Sequence, residues 1–450
     1  MNPALYRVVV RLARMVATTA FLAASAAAAA AQTTTNLLDL AGCEAYALAR
    51  SPRLLQRNYD PLNQALRTDV ARQRFAGSFG LQSSYDPDGE QVDGKVSWKQ
   101  EVPGGIDVTA SAGATQEESG DTSRSYTLGV SKRVLGGGSL GWSRTEVRNA
   151  ELEESAVGLR LARFRRELVA DVRKAYYQVL RNRLTLSARE RQLDSARRNL
   201  QSALAREEPL DIATAQIEVP ASEAAVLRAR RAVLTSLDAL RELIGMPLEQ
   251  VLDIPDEQVY RPQTVNPAAD LAASLAMHED IRALGIRLAQ LTNEVESLRE
   301  EAAPGLVLGT EVGLRDADDT ERDWSSRFTV GLDWTPGLRA ARAQVRLKEY
   351  ALDDARLELE IARRRLQTTI DDLARRLDEA LAQVDISARR LDVAGRRAKL
   401  YEDRWQNGEI DILEYVRSQN DLEDNRVGVI DAQIGYLETL ADYRALCGER

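Results

Sequence analysis

Histidine and cysteine are almost missing: His278, Cys43 and Cys447 are the whole supply in 450 residues. The two cysteines stand near opposite ends with no histidine beside either, so no metal site can be read from them. No nucleophile motif and no glycine-rich phosphate loop accompanies the single imidazole, which argues against an enzyme and against a resident cofactor. Long apolar runs are missing too. With 29% charged residues and no apolar stretch of about twenty beyond the N-terminus, the chain offers no transmembrane helix. If it crosses a membrane, it must do so by β-strands.

What is present begins with an export signal. Residues 1–31 carry Arg7, Arg11 and Arg14, then an uncharged stretch from Met15 to Ala31 made mostly of Ala, Val, Leu and Phe. That is the pattern of a secretory signal cleaved near Ala31. Leu40-Ala41-Gly42-Cys43 has the form of a lipoprotein box, yet Gln32 to Asn36 and Asp39 put polar residues where its apolar core should adjoin. Losing three arginines takes the net charge from −9 to −12. Such an acidic exported chain argues against nucleic acid as a partner.

The chain also repeats itself. Leu186-Ser187-Ala188-Arg189 returns as Ile386-Ser387-Ala388-Arg389, Asp211-Ile212 as Asp411-Ile412, and Gly105 and Gly113 as Gly305 and Gly313, always 200 residues on. A period this long marks a duplicated half-protein. The halves are residues 32–245 and 268–450, joined by a linker, 246–267, that carries four prolines. Each half reads as helix, strands (about 79–134 and 305–335), then a long helical hairpin (about 140–245 and 338–448).

The strands alternate strictly. Ile106, Val108, Ala110, Ala112 and Ala114 oppose Asp107, Thr109, Ser111, Gly113 and Thr115, and Tyr126, Leu128 and Val130 oppose Thr127, Gly129 and Ser131. In the second half Leu306, Leu308, Val312 and Leu314, then Phe328, Val330, Leu332 and Trp334, form the apolar face. Phe79 to Tyr85 and Val96 to Val102 are candidates for a further pair. The polar face suits water and the apolar face suits lipid, as in a membrane barrel wall. Four to six strands cannot close such a wall, and an open edge in lipid leaves backbone groups unpaired at several kcal/mol each. The chain must then oligomerise: three copies of four strands give about twelve, and three of six about eighteen.

Helical periodicity resumes near Leu140 and near Leu338, and a helix of roughly 65 residues is about 100 Å long, more than a globular core needs. Ile370, Leu373, Leu377, Leu381 and Val384 recur at helical spacing among charges, which reads as a solvated coiled coil. The second hairpin turns at Asn407-Gly408-Glu409, with Gly408 as the left-handed cap, and the first at Glu207-Glu208-Pro209.

These residues resemble the TolC-like outer membrane factors. The resemblance spans the mature chain and rests on Ala49-Arg50-Ser51-Pro52-Arg53-Leu54, Tyr176-Tyr177, Leu135-Gly136-Gly137-Gly138, Leu243-Ile244-Gly245 and, most specifically, Trp405-Gln406-Asn407-Gly408-Glu409-Ile410-Asp411-Ile412-Leu413-Glu414. It implies an α+β membrane protein: a homotrimeric outer-membrane β-barrel, twelve-stranded in the family, continued into the periplasm by an α-helical coiled-coil barrel. The implied role is a passive exit duct of a tripartite efflux pump or type I secretion system, working with a periplasmic adaptor and an inner-membrane transporter. The alternative is an adaptor-like periplasmic coiled-coil protein, which would carry one hairpin rather than two. By the same resemblance, Glu208, Pro209, Asp211, Asn407, Gly408 and Glu409 are hairpin-tip residues for adaptor contact, and Asp411, Glu414, Arg417 and Asp421 are periplasmic gate candidates. Arg417 departs from the second acidic position of the family pattern, and Glu208-Pro209 from its usual glycine. The resemblance also brings Cys43 and Cys447 to one belt of the tube, where a disulfide is expected.

Overall fold

Strict two-residue alternation gives strands and uninterrupted three-to-four-residue periodicity gives helices, and the computed structural model contains both where those periods run. It describes residues 36–73, 75–86, 91–102, 105–116, 122–135, 139–247, 249–255, 260–303, 305–317, 321–333 and 338–448. The signal segment, Gly136 to Gly138 and Trp334 lie outside the described residues. Two compact units divide the chain, and each draws on both sequence repeats.

One unit comprises Arg53–Glu167, Val265–Arg375 and Tyr443–Arg450. It contains a six-stranded antiparallel sheet of β2 (Ser78–Asp86), β3 (Gln91–Val102), β4 (Ile106–Gln116), β5 (Thr122–Leu135), β7 (Gly305–Ala317) and β8 (Glu321–Asp333), in that order. The candidate pair near residues 79 and 96 is therefore a true hairpin, with Phe79 opposite Trp98. Gly113 and Gly313 sit inside β4 and β7. The register lines up Leu81, Val96, Ala112, Tyr126, Leu314 and Trp324 across all six strands. One step along, Gly80, Ser97, Ser111, Thr127, Gly313 and Ser325 form the matching row of the other face. Because side chains alternate across a strand, one face is apolar and the other polar. The apolar face is not a core: Leu81 is 83% and Phe328 71% exposed.

The unit also contains α2 (Pro52–Arg57), α3 (Tyr59–Gln73), α6 (Pro267–Met277), α7 (Glu279–Glu301) and the sheet-connected ends of two long helices, α4 (Ser139–Arg206) and α8 (Leu338–Gln406). Ile281, Leu366, Ile370, Ala374 and Tyr443 make its helical core. Tyr443 donates from its hydroxyl to Asp270 at 2.7 Å, satisfying a polar group that burial would otherwise penalise. His278 caps α7 by accepting from the Asp280 N–H at 3.3 Å, and burial lowers its pKa.

The other unit comprises Met1–Pro52, Leu168–Thr264 and Arg376–Asp442. A two-residue strand β1 (Asn36–Leu37) pairs in parallel with β6 (Leu252–Asp253), and the first helix, α1 (Leu40–Arg50), begins just after it with Asp39 as its cap. Helix α5 (Pro209–Ile244) stops at Gly245, whose φ of 77° is the left-handed conformation glycine adopts without strain. A Cβ at Gly245 would lie 2.4 Å from the Arg50 carbonyl oxygen. Ala49-Arg50-Ser51-Pro52 and Leu243-Ile244-Gly245 are thus one contact, which explains why both stretches stand out. Helix α9 (Ile412–Cys447) closes the unit, and Tyr436, fully buried, accepts from the Gln263 N–H at 2.8 Å.

Cys43 and Cys447 are both free thiols, where the resemblance leads one to expect a disulfide. Cys43 is fully enclosed, while Cys447 packs against the cluster around Ile370 and Tyr443.

Candidate functional site at the hairpin tips

Both tips lie in the second unit, and the 200-residue repeat breaks there. The first connector is only Glu207 and Glu208, between α4 ending at Arg206 and α5 starting at Pro209. With no glycine available, Glu207 itself takes the left-handed conformation, φ 59°, a costly choice for a residue with a side chain. Proline at the first helical position suits the helix start, where its missing N–H is no loss. The second connector runs from Asn407 to Asp411, with Gly408 at φ 74° as the spacing predicts.

The three-residue difference changes the meaning of the paired aspartates. Asp411 precedes α9 and caps it, accepting from the Glu414 N–H at 2.9 Å. Asp211 lies inside the first turn of α5 and is buried. The two are equivalent in sequence and not in structure. Glu208 precedes α5 without a side-chain capping bond, and Arg404 reaches Glu409 at 3.9 Å.

The gate candidates divide similarly. Glu414, Arg417 and Asp421 are exposed on α9, as their i, i+3, i+7 spacing predicts. Asp421 pairs with Arg397 at 3.3 Å. Glu414 and Arg417 form no ion pair among the described residues.

Three residues outside that candidate set hold the tips together. Trp405 and Tyr415 stack with centroids 4.7 Å apart and planes 2° from parallel. The Arg206 guanidinium lies 4.1 Å from the Trp405 ring centroid and donates to the Trp405 carbonyl at 2.9 Å. Ala203, Ala215, Ile412 and Val416 complete this cluster, which contains residues of both hairpins. Burial raises the Tyr415 pKa, so its hydroxyl stays neutral. Further from the tips, Asn420 accepts from Gln192 at 2.7 Å and donates to Glu218 at 3.0 Å, tying α9 to both helices of the first hairpin. Trp405 was visible within its motif, but Arg206 and Asn420 carry no local signal, because their partners lie about two hundred residues away.

Chemically, this arrangement can hold two hairpins together or let them part. Among the described residues no helix is long and apolar enough to cross a membrane, and no three His, Cys, Asp or Glu side chains gather as they would around a metal ion.

No curated protein sequence matches the chain. Solved structures do. CusC is similar with a TM-score of 0.69 at 12% identity, over 92% of this chain and 93% of that one. VceC of Vibrio cholerae is similar with a TM-score of 0.69 at 15% identity, over 91% and 96%. The open-state MtrE outer membrane channel of Neisseria gonorrhoeae gives 0.68 at 17%, over 91% and 89%. At such identities the likeness concerns the fold. The profile of the outer membrane efflux protein family matches residues 47–246 and 271–449, most of the chain and both of its halves. The chain therefore belongs to the outer membrane efflux protein family.

Proposed function

We propose that the protein is the outer-membrane exit duct of a tripartite efflux pump or a type I secretion system. It would act as a homotrimer and a passive channel, its helices reaching into the periplasm and its tips meeting a periplasmic adaptor coupled to an inner-membrane transporter. The observation that carries this reading is the sheet. One face is apolar and exposed across six strands, the other is polar, and the edge strands β2 and β8 have no second neighbour among the described residues. Lipid accommodates such a sheet only when its edges are closed. Six strands per copy support a wall of about eighteen rather than about twelve.

Cross-linking in isolated outer membranes tests the reading. A three-chain species is expected. A stable monomer recovered in the soluble periplasmic fraction would overturn it.

A further inference from the structure

The duplicated halves do not carry the same strands. Shifted by 200 residues, β4 and β5 fall on β7 and β8, but the β2–β3 hairpin has no counterpart. Helix α3 ends at Gln73 and β4 begins at Ile106, whereas α7 ends at Glu301 and β7 begins at Gly305. The first half therefore has residues 74–105 where the second has 302–304. The hairpin is an insertion in one half of a duplicated chain.

On the polar face of β3 this insertion carries Lys95 and Lys99, both exposed, one same-face step to either side of Ser97. Their cross-strand neighbours hold no charge: Gln82 and Gly113 flank Lys95, and Ser78 and Thr109 flank Lys99. Elsewhere along the same two rows the charges stand in opposed pairs, Arg315 opposite Asp323 and Glu311 opposite Arg327. Those pairs cancel, and the two lysines remain. The acids of β3, Asp93 and Glu101, lie one same-face step outside these rows. Neither lysine forms an ion pair among the described residues. Val96 and Trp98 alternate with them onto the apolar face, so a one-residue slip that withdrew the lysines would carry charge into lipid. The register holds them on the wet side.

We propose that the β2–β3 hairpin is an inserted selectivity element, whose unopposed Lys95 and Lys99 line the outer-membrane exit and favour anionic solutes there. The proposal rests on the duct reading, which makes the polar face the wall of a water-filled lumen. In the proposed trimer both lysines recur three times. Repeated charge of one sign on a pore wall raises the local concentration of the opposite ion. The residues of β4 opposite, Thr109, Ser111 and Gly113, add no charge of their own and little bulk. A Glu414 ring at the tips would have the opposite sign, so the current through the whole duct would mix the two. The exit must be read locally.

Ser97→Cys, in a Cys43→Ala, Cys447→Ala background, places a thiol between the two lysines. Its rates with a negatively and a positively charged methanethiosulfonate are measured in isolated outer membranes and compared with those of a small free thiol. The ratio of the two rates cancels any change in the thiol's own ionisation. At about 10 mM salt, where the screening length is about 30 Å, the ratio should favour the anionic reagent several-fold. Lys95→Gln with Lys99→Gln should remove most of that preference, and Lys95→Arg with Lys99→Arg should keep it. Amine cross-linking of the same membranes is the companion measurement. If it yields a three-chain species while the ratio matches the free thiol, or while the glutamine pair leaves the ratio unchanged, the hairpin is not a selectivity element and the duct reading survives. If it yields only single chains, both fail.

Discussion

Trp405 and Tyr415 lie face to face across the second connector, one at the end of α8 and the other in the first turn of α9. The loop between them is held by ring stacking and by the Arg206 guanidinium from the other hairpin.

Trp405→Ala should therefore release both hairpins at once. Removing a buried indole costs about 3 to 5 kcal/mol, and the expected result is faster proteolytic nicking at Asn407-Gly408 with a higher resting conductance in planar bilayers. Arg206→Ala, losing a cation–π contact worth about 0.5 to 1 kcal/mol, should move both readouts the same way by less. Wild-type values for Trp405→Ala would show that the stack does not restrain the tips.

Glu414→Ala should lower cation selectivity. In the proposed trimer this exposed carboxylate would be repeated three times and would raise the local cation concentration, and its removal should leave the fold untouched. Asp211→Ala should instead lower thermal stability with little effect on selectivity, because that carboxylate is buried. Reversal-potential measurements in asymmetric salt separate the two, and equal selectivity changes would mean that burial does not distinguish them.

Cys43 should resist alkylation. Burial pushes its thiol up to about 12, and the thiolate is the reactive form, so modification by iodoacetamide stays slow at pH 8 and accelerates only as pH climbs toward that value. Unreduced peptide mass spectrometry should find Cys43 and Cys447 as separate free thiols. A Cys43–Cys447 peptide would contradict the free thiols seen here.

Spin labels at Leu128 and Thr127 should report opposite solvents. The first belongs to the apolar face of β5 and the second to the row containing Ser111 and Gly313, so oxygen should relax the first and a water-soluble nickel complex the second. Equal nickel accessibility would reject a lipid-facing sheet.

The parts of this fold that were legible in the sequence are those governed by period. Leu338 to Gln406 contains one proline-free, evenly amphipathic run, and α8 occupies that run. Strict alternation likewise placed both faces of the sheet. Where a contact rather than a period decides, the reading failed or was silent. The bridge between Asn36–Leu37 and Leu252–Asp253 is too short to have a pattern. Asp211 and Asp411 look identical at an offset of 200, yet Pro209 starts its helix early and buries one of them. The disulfide was inferred from position along a tube, and the free thiols show that this places a residue only coarsely.

The unequal connectors have one more consequence. In the trimer proposed above, the two hairpins of each chain would give six tips, and six identical tips would form a ring in which no hairpin is privileged to move. A two-residue link held at a strained glutamate beside a five-residue link pivoting on a glycine removes that degeneracy. Alternate hairpins of the proposed ring would then differ, and any opening motion would have three glycine hinges at Gly408 to use instead of six equivalent ones.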